Sequence, residues 1–460
     1  MEDEILEPVS PTGQYFTSSV ISVSIIAVLE LEFPIDQSRL DTLLQTLFLP
    51  INPRFSSLMV KDKNGKKYWK KVEVDIQEHI KIPNFPRGKS PEFYEDCLSR
   101  YLSKISLEQF LESRALWEFH IINYPTKNAA QNLVFKLHHS LGDGYSLMGA
   151  LLSCLQRADN PQLPLTFPLL NQKIQTNDNK NNILSRAFDS VYDFGWSVLK
   201  SIVLEDDQTA IRSGDDGVEF RPITITTMVF SFDMIKKVKA SLHVTINDVI
   251  CGALFLGIRL YIKSTEHEHD QSNAKTTALV LLNTRNINGY KSISEMVKPD
   301  GESLWGNQFA FLHVPVPKLA ISDPIDPLSF VLDAQKVIKK KRNSAAVILT
   351  SKLLETLRKL RGPEVTAEYI HKTLKNTSMT ISNMIGPMER MALSNQPIKG
   401  MYVMNVGVPQ SLTVTILSYM GQLRIALGTE NDLIDAPKFR QCVQDAFDMI
   451  FNAAIPFPFI

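Results

Sequence analysis

Hydrophobic residues fall along the early part of the chain in short runs whose spacing separates strands from helices. VISVSIIAVLELEF, residues 20 to 33, is apolar and rich in β-branched residues, and it predicts a buried strand. DQSRLDTLLQTLF, 36 to 48, places its apolar residues at helical spacing. In RFSSLMVKDKNGKKYWKKVEVDI, 54 to 76, two strand-like runs flank Asn64-Gly65, a favoured two-residue hairpin turn. SPEFYEDCLSRYLSKISL, 90 to 107, predicts a helix opened by Ser90 and Pro91. WEFHIINY, 117 to 124, and NLVFKLHH, 132 to 139, read as strands, and YSLMGALLSCLQRA, 145 to 158, as a helix.

The chain then turns polar. NQKIQTNDNKNN, 171 to 182, and EDDQTAIRSGDDG, 205 to 217, read as loops. Between them an amphipathic helix carries Leu184, Phe188, Val191, Leu199 and Ile202 on one side. This region, about 160–217, is the expected crossover between an N-terminal domain, 1–204, and a C-terminal domain, 218–460. The second half restarts with a strand and helix in TITTMVFSFDMIKKVKASL and a buried helix in INDVICGALFLGIRLYI. Strands are expected at 275 to 285, 306 to 317 and 378 to 387, with a helical stretch from Pro327 to about Leu360. A hairpin bending near Gly421 and a closing amphipathic helix complete the pattern. Strands and helices mix without regular βα alternation, which gives a mixed α/β chain of the α+β class rather than a doubly wound sheet.

Length and charge narrow the functions. At 460 residues the chain exceeds one ordinary core. It carries 49 basic and 49 acidic residues, a balance that argues against nucleic acid as a partner. Cys97, Cys154, Cys251 and Cys442 are far apart and read as free thiols in a reducing compartment. The N-terminus, MEDEILEPVSPTG, lacks a signal-peptide pattern. The apolar runs at 20 to 33 and 249 to 262 fall short of the roughly 20 residues a bilayer needs, so both are expected in the core. The amphipathic helix from Ile183 to Leu204 is a candidate surface anchor, with packing against the domains as the alternative.

Candidate chemistry gathers in FKLHHSLGDGYSL, 135 to 147. Alternation along an unbent strand sets His139 on the face of Leu133, Phe135 and Leu137, with His138 on the other. Partial burial keeps such an imidazole neutral, able to accept and return a proton. Adjacent histidines on a strand point apart, and no further pair has metal-ligand spacing, so no metal is expected. His267 and His269 lie in a polar loop. No G-x-S-x-G elbow supports a nucleophilic serine. Gly142 and Gly144 permit a sharp turn through backbone angles closed to other residues, and Asp143 can bond within the turn or pair with an arginine. KDKNGKKYWKK reads as a solvated ribbon, with contact to CoA or anionic lipid as the alternative.

HHSLGDG resembles the HHxxxDG motif of the plant wax ester synthase/diacylglycerol acyltransferase family, within the superfamily of CoA-dependent acyltransferases. VSPTGQYF, RALWEFHII, INDVICGAL, GNQFAFLHVPVP and ISNMIGPMER resemble further segments of that family in the same order. The resemblance spans nearly the whole chain, and one departure is Ala115, where the family has proline before Leu-Trp.

The resemblance implies two chloramphenicol acetyltransferase-like domains with an active-site channel between them. It implies transfer of a fatty acyl group from acyl-CoA, a co-substrate rather than a bound cofactor, to a long-chain fatty alcohol or diacylglycerol. It also implies a membrane surface, at the cytoplasmic face of the endoplasmic reticulum or plasma membrane. His139 becomes the general base, His138 a supporting residue, and Asp143 a loop-holding partner for an arginine, with Arg285 the best placed. Asn247 becomes an oxyanion donor or a helix cap, beside Asp248 in the same segment, while Trp117 and Gly144 are motif positions. Two other readings stay open: a lipid-binding paralogue without turnover, and an acyltransferase acting on another alcohol or amine.

Overall fold

The computed structural model describes residues 7–63, 65–163, 165, 204–265, 274–285, 305–319, 325–342 and 346–455. In chain order its strands are β1 (Glu7–Pro8), β2 (Ser24–Leu31), β3 (Ser57–Lys61), β4 (Lys67–Lys71), β5 (Ile80–Lys81), β6 (Trp117–Ile122), β7 (Gln131–His138) and β8 (Gln156–Arg157). They continue as β9 (Ile223–Ser231), β10 (Thr277–Asn283), β11 (Phe309–Pro315), β12 (Met379–Ile385), β13 (Met391–Leu393), β14 (Gln396–Val406), β15 (Leu412–Tyr419) and β16 (Gln422–Glu430). The longer helices are α1 (Pro91–Leu107), α2 (Gly144–Ser153), α3 (Phe232–Leu242), α4 (Ile246–Thr265), α5 (Pro327–Arg342), α6 (Ala346–Arg361), α7 (Pro363–Lys375) and α8 (Ala436–Ala454).

Two mixed sheets organise the molecule. One has the order β5-β6-β7-β2-β14-β13-β8 and the other β11-β10-β12-β15-β16-β9. Every residue of β2 is buried, because helices or strands cover both faces of this central strand. Its charged Glu30 is accommodated by Arg424 of β16 at 2.7 Å. Leu98 and Leu102 of α1 pack on one face of the first sheet, beside Ile26 and Val134. Leu147 and Leu151 of α2 pack on the other, beside Ile25 and Phe135.

The second core forms around α4. Gly252 lets α5 approach so closely that a Cβ there would meet Val331 Cα at 2.8 Å, and Gly257 does the same for Val443 of α8. Arg259, which interrupts the apolar run, is buried and donates to the carbonyls of Pro317, Ala274 and Val316. Among the described residues no single helix is long and apolar enough to cross a membrane; α3 and α4 pass such a test only as a pair bent by 99°.

Several expectations change. The helix at 36 to 48 is α-helical over Gln37–Leu43 and widens to a π-turn over Leu44–Phe48. The early hairpin closes between Asp62 and Lys66 with Gly65 left-handed, so its loop is a residue longer than the two-residue turn. The basic ribbon is not solvated throughout: Lys67 is buried and bonds the carbonyl and hydroxyl of Thr17. The helical stretch after Pro327 comprises two helices, and α7 adds a third.

The division at about residue 217 also fails to follow the sheets. β13 and β14 come from the second half, yet β14 pairs along the length of β2 in the first sheet. The expected helix from Ile183 to Leu204 falls almost wholly outside the described residues, as do His267 and His269.

Candidate active site

β7 runs into the histidine turn and ends at His138. Strand alternation holds as far as that residue, which lies on the Lys136 side against Phe110. His139 does not continue the face of Leu133, Phe135 and Leu137. Its N–H donates to the Val23 carbonyl at 2.9 Å, and its ring packs between Phe16 at 4.6 Å and Phe309 at 5.8 Å. The strand has ended and the chain has begun to turn, which breaks the alternation.

The two imidazoles are held in opposite tautomers. Nδ1 of His138 accepts from the Ser140 backbone N–H, which leaves its Nε2–H to meet Ser22 Oγ at 3.2 Å. Both nitrogens of His138 are therefore engaged. At His139, Asn307 Nδ2 donates to the histidine's own carbonyl at 3.0 Å, so Asn307 Oδ1 faces Nδ1 at 2.8 Å as an acceptor. This network assigns the proton to Nδ1 and the lone pair to Nε2.

Burial dominates the charge state of both rings. His138 is pushed down to about 3 by desolvation, with His139, Lys67 and Lys136 adding to the shift. His139 is also lowered by desolvation, opposed by Asp143, by its own backbone and by Asn307. It is a neutral imidazole near pH 7.

Asp143 is the N-cap of α2 and accepts from the Ser146 N–H. Both of its oxygens also bind Arg285, at 2.8 and 3.0 Å, and Oδ2 accepts from the Gln308 N–H. Arg285 further donates to the Gly306 carbonyl at 2.7 Å and lies over the Tyr145 ring. A bidentate pair this deeply buried needs such additional bonds to offset desolvation. It ties the motif turn to the segments at the ends of β10 and β11.

Gly142 and Gly144 do not have left-handed backbone angles. Their requirement is space: a Cβ on Gly142 would meet Ser146 Cβ, and one on Gly144 would meet Met384 Sδ, each at 2.8 Å.

The remaining sites lie outside this knot. Thr245 and Asp248 form the reciprocal cap of α4, each side chain accepting from the other's backbone N–H. Asn247 is therefore not the cap. Its Oδ1 accepts from Asn383 of β12, one residue before the Met384 that touches Gly144. Trp117 is buried core: its Nε1 donates to the Phe55 carbonyl and its ring stacks on His79 at 4.2 Å. Ala115 is buried beside it.

Sequence reasoning missed Asn307 and the flanking Phe16 and Phe309. Asn307 sits in the polar Gly-Asn-Gln just before β11, where an amide reads as an ordinary strand-capping residue. Among the described residues no group of three His, Cys, Asp or Glu side chains has the arrangement to hold a metal.

Residues 305–451 match the model of the WS/DGAT C-terminal domain. Over 466 aligned positions the chain is 29% identical to wax ester synthase/diacylglycerol acyltransferase 4 of Arabidopsis thaliana, covering 95% of this chain and 88% of the relative. The C-terminal third of the chain thus matches a WS/DGAT domain, and nearly its whole length is similar to plant wax ester synthase/diacylglycerol acyltransferases. Its fold matches the wax ester synthase/diacylglycerol acyltransferase of Marinobacter aquaeolei VT8 with a TM-score of 0.59, at 15% identity, over 97% of this chain and 100% of that one. It also matches the starter condensation domain of rhizomide synthetase, solved in complex with C8-CoA and Leu-SNAC, with a TM-score of 0.53 at 12% identity over 99% and 96% of the two chains. The chain thus shares with condensation domains a mixed α/β architecture of two chloramphenicol acetyltransferase-like halves.

Proposed function

We propose that the protein transfers a fatty acyl group from CoA to the hydroxyl of a long-chain alcohol or of diacylglycerol, with His139 as general base. The observation that carries this reading is the tautomer of His139: a neutral ring whose Nδ1–H is committed to Asn307 and whose Nε2 bears a lone pair. The acceptor hydroxyl gives its proton to Nε2 as its oxygen attacks the thioester carbonyl. A C–O bond forms and the carbonyl electrons move to the oxyanion. The oxyanion collapses, the C–S bond breaks, and the imidazolium delivers its proton to the departing CoA sulfur. Such acid–base help is worth about 10²–10⁴-fold.

Asp143 and Arg285 act by holding the turn, and His138 by anchoring it to Ser22 and Ser140. Asn247 is assigned the oxyanion, where a donor contributes roughly 10²–10³-fold. Its place beside the strand that meets Gly144 supports this role. The lipid acceptors bring the protein to a membrane surface.

The test is release of free CoA thiol from palmitoyl-CoA in the presence of hexadecanol or diacylglycerol, with His139→Ala in parallel. Acceptor-dependent release that disappears in the variant supports the mechanism, and the preferred acceptor names the activity. Folded wild-type protein that binds palmitoyl-CoA without releasing thiol points instead to lipid binding without turnover.

A further inference from the structure

One lysine of the basic ribbon points inward. Side chains alternate along β4, so Lys67 and Trp69 turn to the core while Lys71 stays exposed. A lysine is rarely buried without oxygens to meet its ammonium. Here those oxygens are the carbonyl and the hydroxyl of Thr17, the hydroxyl at 2.9 Å. The Lys67 carbonyl also accepts from the Val9 N–H. Backbone and side chain of this one residue therefore fasten both ends of the segment from Val9 to Thr17.

The chain on either side of Thr17 reaches both histidines. Thr17 pairs with Ser22 across a tight loop, which Ser18 Oγ closes further by accepting from the Ile21 N–H at 3.1 Å. Phe16, one residue before Thr17, packs on the His139 ring at 4.6 Å. Ser22, across the loop from Thr17, meets Nε2 of His138 at 3.2 Å, and the Val23 carbonyl accepts from the His139 N–H. Fixing Thr17 thus fixes one contact to each imidazole. The Phe16 ring also keeps water from the face of His139 that it covers, and a desolvated ring stays neutral.

We propose that Lys67 is a positioning residue for the base: by gripping Thr17 it holds Phe16 against His139 and Ser22 against His138. The inference rests on the acyl-transfer reading and adds a residue that acts through this strap rather than on the substrate. The titratable or charged groups around His139 are His138 beside it and Asp143, which is paired to Arg285. Those around Lys67 are Lys61, Glu112 and Glu364. When the strap loosens, water reaches His139 and its pKa moves up toward the ordinary value. Activity needs the neutral ring, so the acid limb moves to higher pH. The Lys67 charge also acts directly on His138, and the test separates that effect from the grip.

The experiment compares wild type, Lys67→Met, Thr17→Val, Phe16→Ala and the double variant Lys67→Met with Phe16→Ala, using palmitoyl-CoA and the preferred acceptor. In Lys67→Met, kcat is expected to fall about tenfold, within the range for a misplaced reacting group, and the acid limb of kcat/KM to move to higher pH. Thr17→Val removes one of the two acceptors and moves the limb the same way by less. Because Lys67 acts through Phe16, the double variant should show no shift beyond that of Phe16→Ala. A shift that persists in full in the Phe16→Ala background reports the lysine charge alone and overturns the proposal, as does an unchanged limb in folded Lys67→Met. Thermal melting checks folding. If Lys67→Met does not fold, Thr17→Val carries the test, and an unchanged limb there overturns the proposal. If wild type transfers no acyl group, the acyl-transfer reading fails by itself. The grip is then read by NMR titration of the His139 ring in histidine-labelled protein, where equal ring pKa values in wild type and Lys67→Met overturn it.

Discussion

Asn307 holds His139 twice, accepting from the ring Nδ1–H at 2.8 Å and donating to the histidine's own carbonyl at 3.0 Å. One side chain therefore fixes both the tautomer and the orientation of the proposed base. Asn307→Ala is expected to lower kcat about 10–100-fold, the scale on which outer partners of a histidine act. Asn307→Asp places a carboxylate against the ring and raises the pKa of His139. Activity needs the neutral ring and is lost as pH falls through that pKa. In wild type, burial puts this acid limb below the ordinary histidine value near 6.5. In Asn307→Asp it moves to higher pH. Profiles of kcat/KM against pH check this, and coincident acid limbs would count against the assignment.

The Asp143–Arg285 pair joins residues 142 positions apart, buried on both sides. Arg285→Ala leaves the Asp143 carboxylate buried without its cation and is expected to cost about 3–5 kcal/mol. Asp143→Ala removes the cap as well, adding about 1 kcal/mol. Urea unfolding of the two variants and the double variant measures both. The double variant should be less destabilised than the sum, because no orphaned charge remains. Simple additivity would show that the pair is not coupled.

Burial of neutral histidines makes stability depend on pH. His138 is held down to about 3, and His139 and His79 are also lowered by burial. Between about pH 6.5 and pH 3 the unfolded chain binds protons that the folded chain does not, so stability falls as pH falls through this window. Each such group contributes a slope of up to about 1.4 kcal/mol per pH unit. Unfolding free energies at pH 7 and pH 5 test the direction. His138→Gln, which removes one titrating ring, should flatten the slope.

Two glycines should respond differently to an added methyl. At Gly252 a Cβ would meet the Val331 backbone, so Gly252→Ala must force α4 and α5 apart, at about 1–3 kcal/mol. At Gly144 the obstacle is the Met384 thioether, which can swing away, so Gly144→Ala should cost less. Denaturation midpoints compare them, and Met384→Ala should rescue the Gly144 variant. Equal losses at the two positions would contradict this reading.

Much of the local structure was legible because periodicity and capping are written in consecutive residues, as at Ser90-Pro91 of α1 and the alternation leading to His138. Arg285 could be singled out because it follows a strand end, where side chains reach neighbouring turns. Asn307 could not, because its partner lies 168 residues away and nothing local distinguishes it from a strand-capping amide. β14 escaped for a different reason. Pro397, Gly400 and the bulge between Ile398 and Gly400 weaken its strand signal, and burial on both sides removes alternation. The π-turn at Leu44–Phe48 was hidden because a register shift by one residue leaves the same apolar spacing in the sequence.

Because β14 is supplied by residues 396–406, the first sheet cannot close when the first half of the chain leaves the ribosome. Until then β2 presents a long apolar strand with an unpaired edge, the template most prone to cross-chain pairing. Its partner arrives nearly two hundred residues after the crossover, at a synthesis rate of about 5–20 residues per second. Newly made chains should therefore depend on chaperones during this interval. A fragment that stops at residue 217 should aggregate, and a peptide covering β14, added during its refolding, should keep it in solution.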